Sequence, residues 1–180
     1  GVPNLEFTTD ACKTVKESDI LVCAVGTPLK NKYVDLDYVW SVMGDIERNL
    51  DGRKKIIAIK STVPVGTNRE INEYFSKRER NVSIVSNPEI LVEGNAVDDT
   101  KKPSRIIIGS NKIKEDRDVF DELYAPFLFK KGRGVLYMQP ASAELSKLSA
   151  NAFLALRISF INEIANYAES SGADIDEVRW

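Results

Sequence analysis

The chain alternates short apolar runs with longer segments of helical periodicity, and this alternation restricts the fold more than any other feature. The apolar runs, each four to seven residues long, are residues 19–25, 55–60, 82–85, 105–109 and 134–138. Apolar residues recur at three- and four-residue steps in segments 35–50, 66–77, 114–127 and 141–170. Strand-length runs separated by helices are typical of a parallel sheet with crossover connections. Because the runs lack in–out alternation, helices should cover both faces, and the sequence predicts an open α/β fold.

Composition excludes several classes of protein and partner. Hydrophobic residues make up 43% of the 180 residues and charged residues 29%, the balance of a globular domain. A formal net charge of −2 argues against a nucleic-acid or anionic-membrane partner, and the longest apolar run, 20–25, is too short to cross a bilayer. Histidine is absent, and Cys12 and Cys23 lack the spacing of a metal site or a disulfide framework. We therefore expect no metal and a reduced, cytoplasmic protein.

Three consecutive predicted strands end in small, hydroxylated or proline-containing turns. These turns are residues 26–28 (GTP), 61–64 (STVP) and 86–89 (SNPE). Each turn alone has an ordinary explanation, because proline and serine end strands in many proteins. In open α/β sheets, however, ligands bind beyond the carboxyl ends of the strands. Three such turns at one edge of one sheet therefore predict a ligand site there.

Glu89 and Glu93 follow the third predicted strand at a spacing of four residues. This spacing would place both carboxylates on one face if the segment makes a helical turn. Because the residues between them are apolar, a carboxylate held beside them could have a raised pKa and act as a base. The alternative interpretation is two solvated loop glutamates.

The long predicted helix carries a second polar pair, Lys147 and Asn151, also four residues apart. Together with Glu144 they interrupt an otherwise largely apolar helical segment. A helix this apolar is expected to be buried on most sides, where a lysine and an asparagine need partners. A cation and an amide on one face could hold an anionic substrate or a developing oxyanion. The alternative is a surface stripe in which the Lys147 stem lies along apolar neighbours.

No glycine motif of the dinucleotide-binding type G-x-G-x-x-G occurs in the chain. Gly132 and Gly134 lack the third glycine and precede a predicted strand instead of a helix. The residues alone therefore predict an α/β ligand-binding domain and no particular ligand.

Four motifs, in this order, resemble those of the nucleotide-sugar dehydrogenases of the UDP-glucose/GDP-mannose dehydrogenase family. They are residues 25–28 (VGTP), 61–67 (STVPVGT), 86–94 (SNPEILVEG) with 103–105 (PSR), and 143–155 (AELSKLSANAFLA). The resemblance spans nearly the whole chain. Residues 157–163 (RISFINE) and 172–174 (GAD) favour the UDP-glucose branch over the UDP-N-acetylmannosamine branch.

The resemblance implies an activity, a fold and partners. The activity is the NAD-dependent, two-step, four-electron oxidation of UDP-glucose to UDP-glucuronate. Residues 1–139 would form the second half of a Rossmann-like NAD-binding domain with a parallel sheet. Residues 140–180 would contain the long central helix that begins an α-helical dimerisation domain. The partners implied are NAD, a UDP-sugar and a second copy of the chain, bound through the central helix.

The resemblance also assigns roles to individual residues. The cofactor would lie against two turns and one glutamate: Gly26, Thr27, Pro28, Ser61, Thr62, Val63 and Glu93. By this resemblance Glu89 matches the acid–base glutamate, and Thr62 would lie near a catalytic water. The substrate would contact Glu89, Glu93 and the backbone between them, at Ile90, Leu91 and Val92, where Ile90 replaces a family phenylalanine. Lys147 and Asn151 match the pair that holds the sugar and stabilises the oxyanion.

The chain departs from the family pattern at both ends. The family's glycine fingerprint and ribose-binding acid lie upstream of this sequence, and its nucleophilic cysteine and paired aspartate lie downstream of Trp180. Cys12, in a predicted short helix, and Cys23, inside a predicted strand, cannot replace that nucleophile. We therefore expect a central fragment that is inactive alone and binds the cofactor only weakly. The alternatives are a UDP-N-acetylmannosamine or GDP-mannose dehydrogenase of the same family and a non-catalytic nucleotide-sugar-binding module.

Overall fold

The structure, a computed structural model, describes residues 4–90, 94, 96–103, 105–127 and 134–178. The helices are α1 (Ala11–Glu17), α2 (Asp37–Asn49), α3 (Thr67–Ser76), α4 (Ala96–Lys101), α5 (Ile113–Tyr124), α6 (Pro140–Ser171) and α7 (Ile175–Val178). The strands are β1 (Ile20–Cys23), β2 (Leu29–Lys30), β3 (Tyr33–Val34), β4 (Lys55–Ile59), β5 (Val82–Ser86), β6 (Ile106–Ser110) and β7 (Val135–Met138). Among the described residues, no helix is both long and apolar enough to cross a membrane.

A five-stranded sheet in the order β1-β4-β5-β6-β7 forms the centre of the fold. Strands β1, β4 and β5 are parallel, and their last residues are paired, Cys23 with Ile59 and Ile59 with Ser86. The three turns that follow these strands therefore leave the sheet at one edge. The α/β class, the mostly parallel sheet and the long C-terminal helix are confirmed.

Helices cover both faces of the sheet, as the sequence predicted. On one face, Val39 of α2 and Ile71 of α3 pack against Ile57 of β4. On the other face, Phe120 of α5 belongs to a cluster with Ile56 of β4 and other strand residues. Neighbouring residues of β4 thus point into different clusters, and every residue of β4, β5 and β6 is buried. This double coverage explains the continuous apolar runs.

The predicted parallel sheet contains one antiparallel pair. Strand β6 runs antiparallel to β5, with Ser86 paired to Gly109, whereas β7 is again parallel to β6. A parallel connection needs a crossover of a dozen or more residues, usually a helix that packs on the sheet. The helix described between β5 and β6 is the six-residue α4, too short for that purpose.

A small hairpin between β1 and α2 was missed by the sequence analysis. Strands β2 and β3 have two residues each and are joined by Asn31 and Lys32, whose φ angles are 53° and 70°. Positive φ at both central residues is typical of a tight hairpin turn. Strands of two residues carry no readable alternation, which is why the pattern gave no signal.

Helix α6 packs on the sheet only near its start. Its first turns bury Pro140, Ala143 and Glu144, and Ala168 is buried near its other end. Much of the apolar surface of the helix is exposed, at Leu145, Phe153, Leu154, Leu156, Ile158, Phe160 and Tyr167. The expectation that this helix is buried on most sides is therefore wrong for the described chain, because its main neighbours, β5, β6, α3 and α7, cover only its ends.

The close approach of α6 to the sheet requires a glycine in β6. A Cβ atom at Gly109 would lie 2.6 Å from Ala143 Cβ and 2.8 Å from Pro140 Cα. Both atoms belong to the first turn of α6, so a side chain at this position would push the helix away from the strand.

Replacing Gly109 by alanine is expected to lower the free energy of unfolding by about 1–3 kcal/mol, the usual cost of overpacking. The measurement is urea unfolding followed by circular dichroism. Gly134→Ala is the matched control, because a Cβ there meets nothing within 4 Å. Equal stability of the two variants would contradict the close-packing explanation.

Candidate functional site

The turns after β1 and β4 are joined by a serine hydroxyl. Ser61 is buried, and its Oγ donates to the carbonyl oxygen of Val25 at 2.7 Å and accepts from the Val25 N–H at 2.9 Å. The Ser61 N–H also donates to the carbonyl of Cys23 at 3.3 Å. Ser61 therefore fixes the backbone on which the turn 26–28 begins.

Thr27 strengthens the same connection. Its Oγ1 donates to the carbonyl oxygen of Thr62 at 2.8 Å. Gly26 and Pro28 are exposed, Thr62 is half-buried, and the Val63 side chain belongs to the core. Of this second turn, the Thr62 side chain and the backbone are thus available to a ligand, whereas the Val63 side chain is occupied with packing.

Asn87 anchors the third turn and was missed by the sequence analysis. Its N–H donates to the carbonyl of Ile59 at 2.9 Å, and its Nδ2 donates to the carbonyl of Ile107 at 3.0 Å. The Tyr124 hydroxyl donates to Asn87 Oδ1. One buried amide thus ties the start of the Glu89 loop to β4, β6 and α5. An Asn before a proline is common in turns, so the sequence gave no distinctive signal.

Glu89 forms an ion pair with Lys60, the residue that directly follows β4. Both side chains are partly buried, with 33% of Glu89 and 25% of Lys60 exposed. They line a cleft together with Ile90, Arg105 and Tyr124. The sequence analysis singled out Glu89 but not Lys60. A lysine at the end of a predicted strand is common and gave no signal of a site.

Leu91, Val92 and Glu93 lie outside the described residues. The predicted pairing of Glu89 with Glu93 on one face therefore stays a prediction.

Lys147 reaches the same edge from α6. A narrow cleft is lined by Lys147, Thr62, Ser86 and Pro88, so the lysine lies beside two of the three turns. Burial lowers the pKa of Lys147 below its ordinary value of 10.5, whereas the negative charge of Glu89 raises it. The ammonium is thus partly desolvated and lies within the field of the Glu89 carboxylate.

Asn151 is placed differently. It lies one helical turn beyond Lys147 on α6 and is exposed. It does not line either cleft described above. The structure therefore brings together Thr62, Glu89 and Lys147 and leaves Asn151 open on the helix surface.

Glu144 has a structural role that the sequence analysis did not predict. Its side chain is buried, and its carboxylate accepts from the N–H of Gly66 at 2.7 Å and from the N–H of Asn68 at 2.8 Å. Both donors lie at the N-terminus of α3, where backbone N–H groups lack helical partners. Burial raises the pKa of Glu144, and the two N–H donors lower it by a smaller amount. An acidic residue among apolar neighbours on the helix, one turn before Lys147, was the available signal.

Two domain models of one protein family match this chain. The NAD-binding domain of the UDP-glucose/GDP-mannose dehydrogenase family matches residues 2–128, and the central domain of that family matches residues 141–180. The chain belongs to this family. The resemblance inferred from the four motifs is thereby confirmed, together with an NAD-binding domain.

Individual relatives agree with this assignment. UDP-glucose 6-dehydrogenase of Rhizobium meliloti (strain 1021) is 41% identical over 97% of this chain and 40% of its own length. UDP-glucose dehydrogenase of the archaeon Pyrobaculum islandicum has a TM-score of 0.86 at 35% identity, over 96% of this chain and 40% of that structure. GDP-mannose dehydrogenase of Pseudomonas aeruginosa has the same TM-score at 29% identity, with the same coverage. The chain thus spans about two fifths of the length of these relatives.

Replacing Glu89 by glutamine is expected to lower the pKa of Lys147 further, because the charge that raises it is removed while burial stays. The pKa can be measured by NMR on protein with lysine labelled at 13Cε, with the Lys147 signal assigned by Lys147→Arg. Glu122→Gln, an exposed substitution on α5, is the control and should leave this pKa unchanged. A rise or no change in the Glu89 variant would contradict the described field.

Glu144 is expected to make stability pH-dependent. Because its folded pKa is raised above the ordinary 4.5, the folded chain binds this proton more tightly than the unfolded chain. Its contribution to stability therefore falls as the pH rises from the ordinary value through the folded pKa.

The measurement is urea unfolding of wild type and Glu144→Gln across this pH range. The wild type should lose stability with rising pH relative to the glutamine variant, which does not titrate. Glu144→Ala should lower the free energy of unfolding by about 1–3 kcal/mol, because the N–H groups of Gly66 and Asn68 lose their acceptor. A wild type that gains stability relative to glutamine as the pH rises would contradict this account.

Proposed function

We propose that this chain contains the second half of an NAD site and, beside it, part of the catalytic residues for the oxidation of UDP-glucose to UDP-glucuronate. The observation that carries the proposal is that Glu89 and Lys147 both lie at the edge of the sheet where β1, β4 and β5 end, with the charge of Glu89 acting on Lys147. A base and a cation beside a cofactor site are the groups that alcohol oxidation requires. The relative from Rhizobium meliloti, named UDP-glucose 6-dehydrogenase, supports the choice of substrate.

The cofactor would lie along the turns after β1 and β4. Gly26, Thr27, Pro28 and Thr62 are exposed or half-buried at this edge, and Ser61 holds the two turns together. Val63 would contribute its backbone only, because its side chain is in the core. The carboxyl edge of a parallel sheet is where dinucleotides bind in such folds. When bound there, NAD would supply the hydride acceptor for the oxidation.

The chain's own side chains would transfer protons and stabilise the charge that develops during the reaction. Glu89 would exchange a proton with the sugar hydroxyl and with the catalytic water. Thr62 would help to orient that water. Lys147 would stabilise the negative charge that develops on oxygen, because a partly desolvated ammonium acts more strongly than one in water. Asn151, exposed on the same helix, would hold the sugar, and Glu93 would lie beside the nicotinamide.

We also propose that the chain is the central part of a longer polypeptide. Residues 1–139 would belong to the NAD-binding domain and residues 140–180 to a helical dimerisation domain. The exposed apolar side chains of α6 support this division, since 63% of Phe160 and 61% of Phe153 would otherwise remain in water. The intact mass of the natural protein should then exceed twice the 20.1 kDa of this chain.

A second candidate is the oxidation of another nucleotide sugar, above all GDP-mannose. The GDP-mannose dehydrogenase of Pseudomonas aeruginosa has the same TM-score to this chain as the UDP-glucose enzyme of Pyrobaculum islandicum. A non-catalytic binding module is disfavoured, because such a module needs neither Glu89 nor Lys147 at the edge.

The test uses the natural gene product that contains this chain. With NAD and UDP-glucose, we expect NADH to form in twice the amount of the UDP-glucose consumed. Lys147→Met should lower kcat by roughly a hundredfold or more, whereas Lys114→Met, an exposed lysine on α5, should not change it. If NADH forms with GDP-mannose or UDP-N-acetylmannosamine but not with UDP-glucose, that nucleotide sugar replaces UDP-glucose as the proposed substrate. Binding of nucleotide sugar without NADH formation would overturn the enzymatic proposal.

A further inference from the structure

We propose that Lys60 is a positioning residue, whose ammonium holds the Glu89 carboxylate on the β4 side of the cleft and so keeps it away from Lys147. The inference rests on the proposed function for its catalytic consequence, but its structural part stands on the ion pair alone. It assigns a role to a lysine that the four family motifs do not include.

Both members of the ion pair have fixed backbones. The Lys60 N–H donates to the carbonyl of Cys23 at 2.9 Å, which ties the residue to the end of β1. Glu89 follows Asn87 by two residues, and Asn87 is bonded to β4, β6 and Tyr124. With both backbones held, the ion pair sets the direction of the Glu89 side chain. Because both side chains are partly buried, solvent screens the pair less than it screens a surface pair.

Glu89 interacts with two cations. Lys60 contacts it directly in an ion pair, and its negative charge also raises the pKa of Lys147. Arg105 lines the same cleft as Glu89 but is exposed. Glu144, the other acid beside Lys147, is occupied by the N–H groups of Gly66 and Asn68. Without Lys60, Glu89 would therefore be free to swing toward Lys147 and neutralise it.

The consequence for catalysis follows from this geometry. A carboxylate paired with Lys147 would leave the position of the base, and it would also occupy the cation meant for the developing oxyanion. Both effects act on the chemical step, so kcat should fall more than KM rises.

The first test measures charge geometry without any need for activity. In the natural protein with lysine labelled at 13Cε, we expect Lys60→Met to raise the pKa of Lys147, because Glu89 moves closer. Lys60→Arg should leave it unchanged. Lys60→Met in a Glu89→Gln background should produce no rise. A rise that persists in that background would reflect only the lost repulsion between the lysines, and this outcome, or no rise at all, would overturn the proposal.

The second test is kinetic. Lys60→Met should lower kcat roughly ten- to a hundredfold, within the range that a displaced acid–base group costs, and should change KM by less than about threefold. Lys60→Arg should restore most of kcat, and Lys114→Met should have no effect. Lys60→Gln replaces Lys60→Met if the methionine variant does not fold. An unchanged kcat, or an arginine variant as poor as methionine, would overturn the proposal.

The two tests separate this inference from the proposed function. If the wild type oxidises no nucleotide sugar, the proposed function fails, while the pKa comparison among the Lys60 variants still decides whether Lys60 positions Glu89.

Discussion

The carboxylate of Glu144 is the contact on which the arrangement of the site depends. It joins helix α6 to the N-terminus of α3 through the N–H groups of Gly66 and Asn68. One helical turn later the same helix carries Lys147 to the carboxyl edge of the sheet. Because residues three apart on a helix lie on the same side, fixing Glu144 also fixes the rotation of α6 that points Lys147 at Thr62 and Pro88. The missing side chain of Gly109 allows the helix to come close enough for this contact.

The site is thus assembled from elements that are each held by a buried polar group. Ser61 holds the two cofactor-side turns together, Asn87 holds the Glu89 loop, and Glu144 holds the helix that carries Lys147. Each of these groups is satisfied largely by backbone atoms, which leave little freedom of direction. The side chains that we expect to act on a ligand, Thr62 and Lys147 among them, are by contrast only partly buried.

Much of the fold could be predicted because its signals are local. The runs that became β4 and β5 are apolar on both faces, and the helices between strands repeat their apolar residues at helical steps. The antiparallel β6 could not be predicted, since strand direction depends on what lies between strands and not on the strand's own residues. The hairpin of β2 and β3 was too short to show a pattern.

The candidate site was predicted less completely, again for physical reasons. Glu89 and Lys147 were recognised through motifs, and the structure places them at one edge. Lys60 pairs with Glu89, and Glu144 fixes the helix that carries Lys147. Both act through contacts between residues distant in sequence, which spacing alone cannot show. The exposure of α6 was also unexpected, since the apolar residues of a helix do not say which other part of a protein covers them.

The reversal between β5 and β6 limits how a long ligand can lie on this protein. Turns that follow a strand are found at the ends of β1, β4 and β5, whereas the next strand, β6, begins at that edge instead of ending there. On the β6 side, Arg105 and Tyr124 line the cleft that contains Glu89. A long ligand at the proposed site would therefore extend from the Glu89 loop across β4 toward β1, where the strands end in turns. The reversal of β6 in this way gives the proposed binding edge a direction.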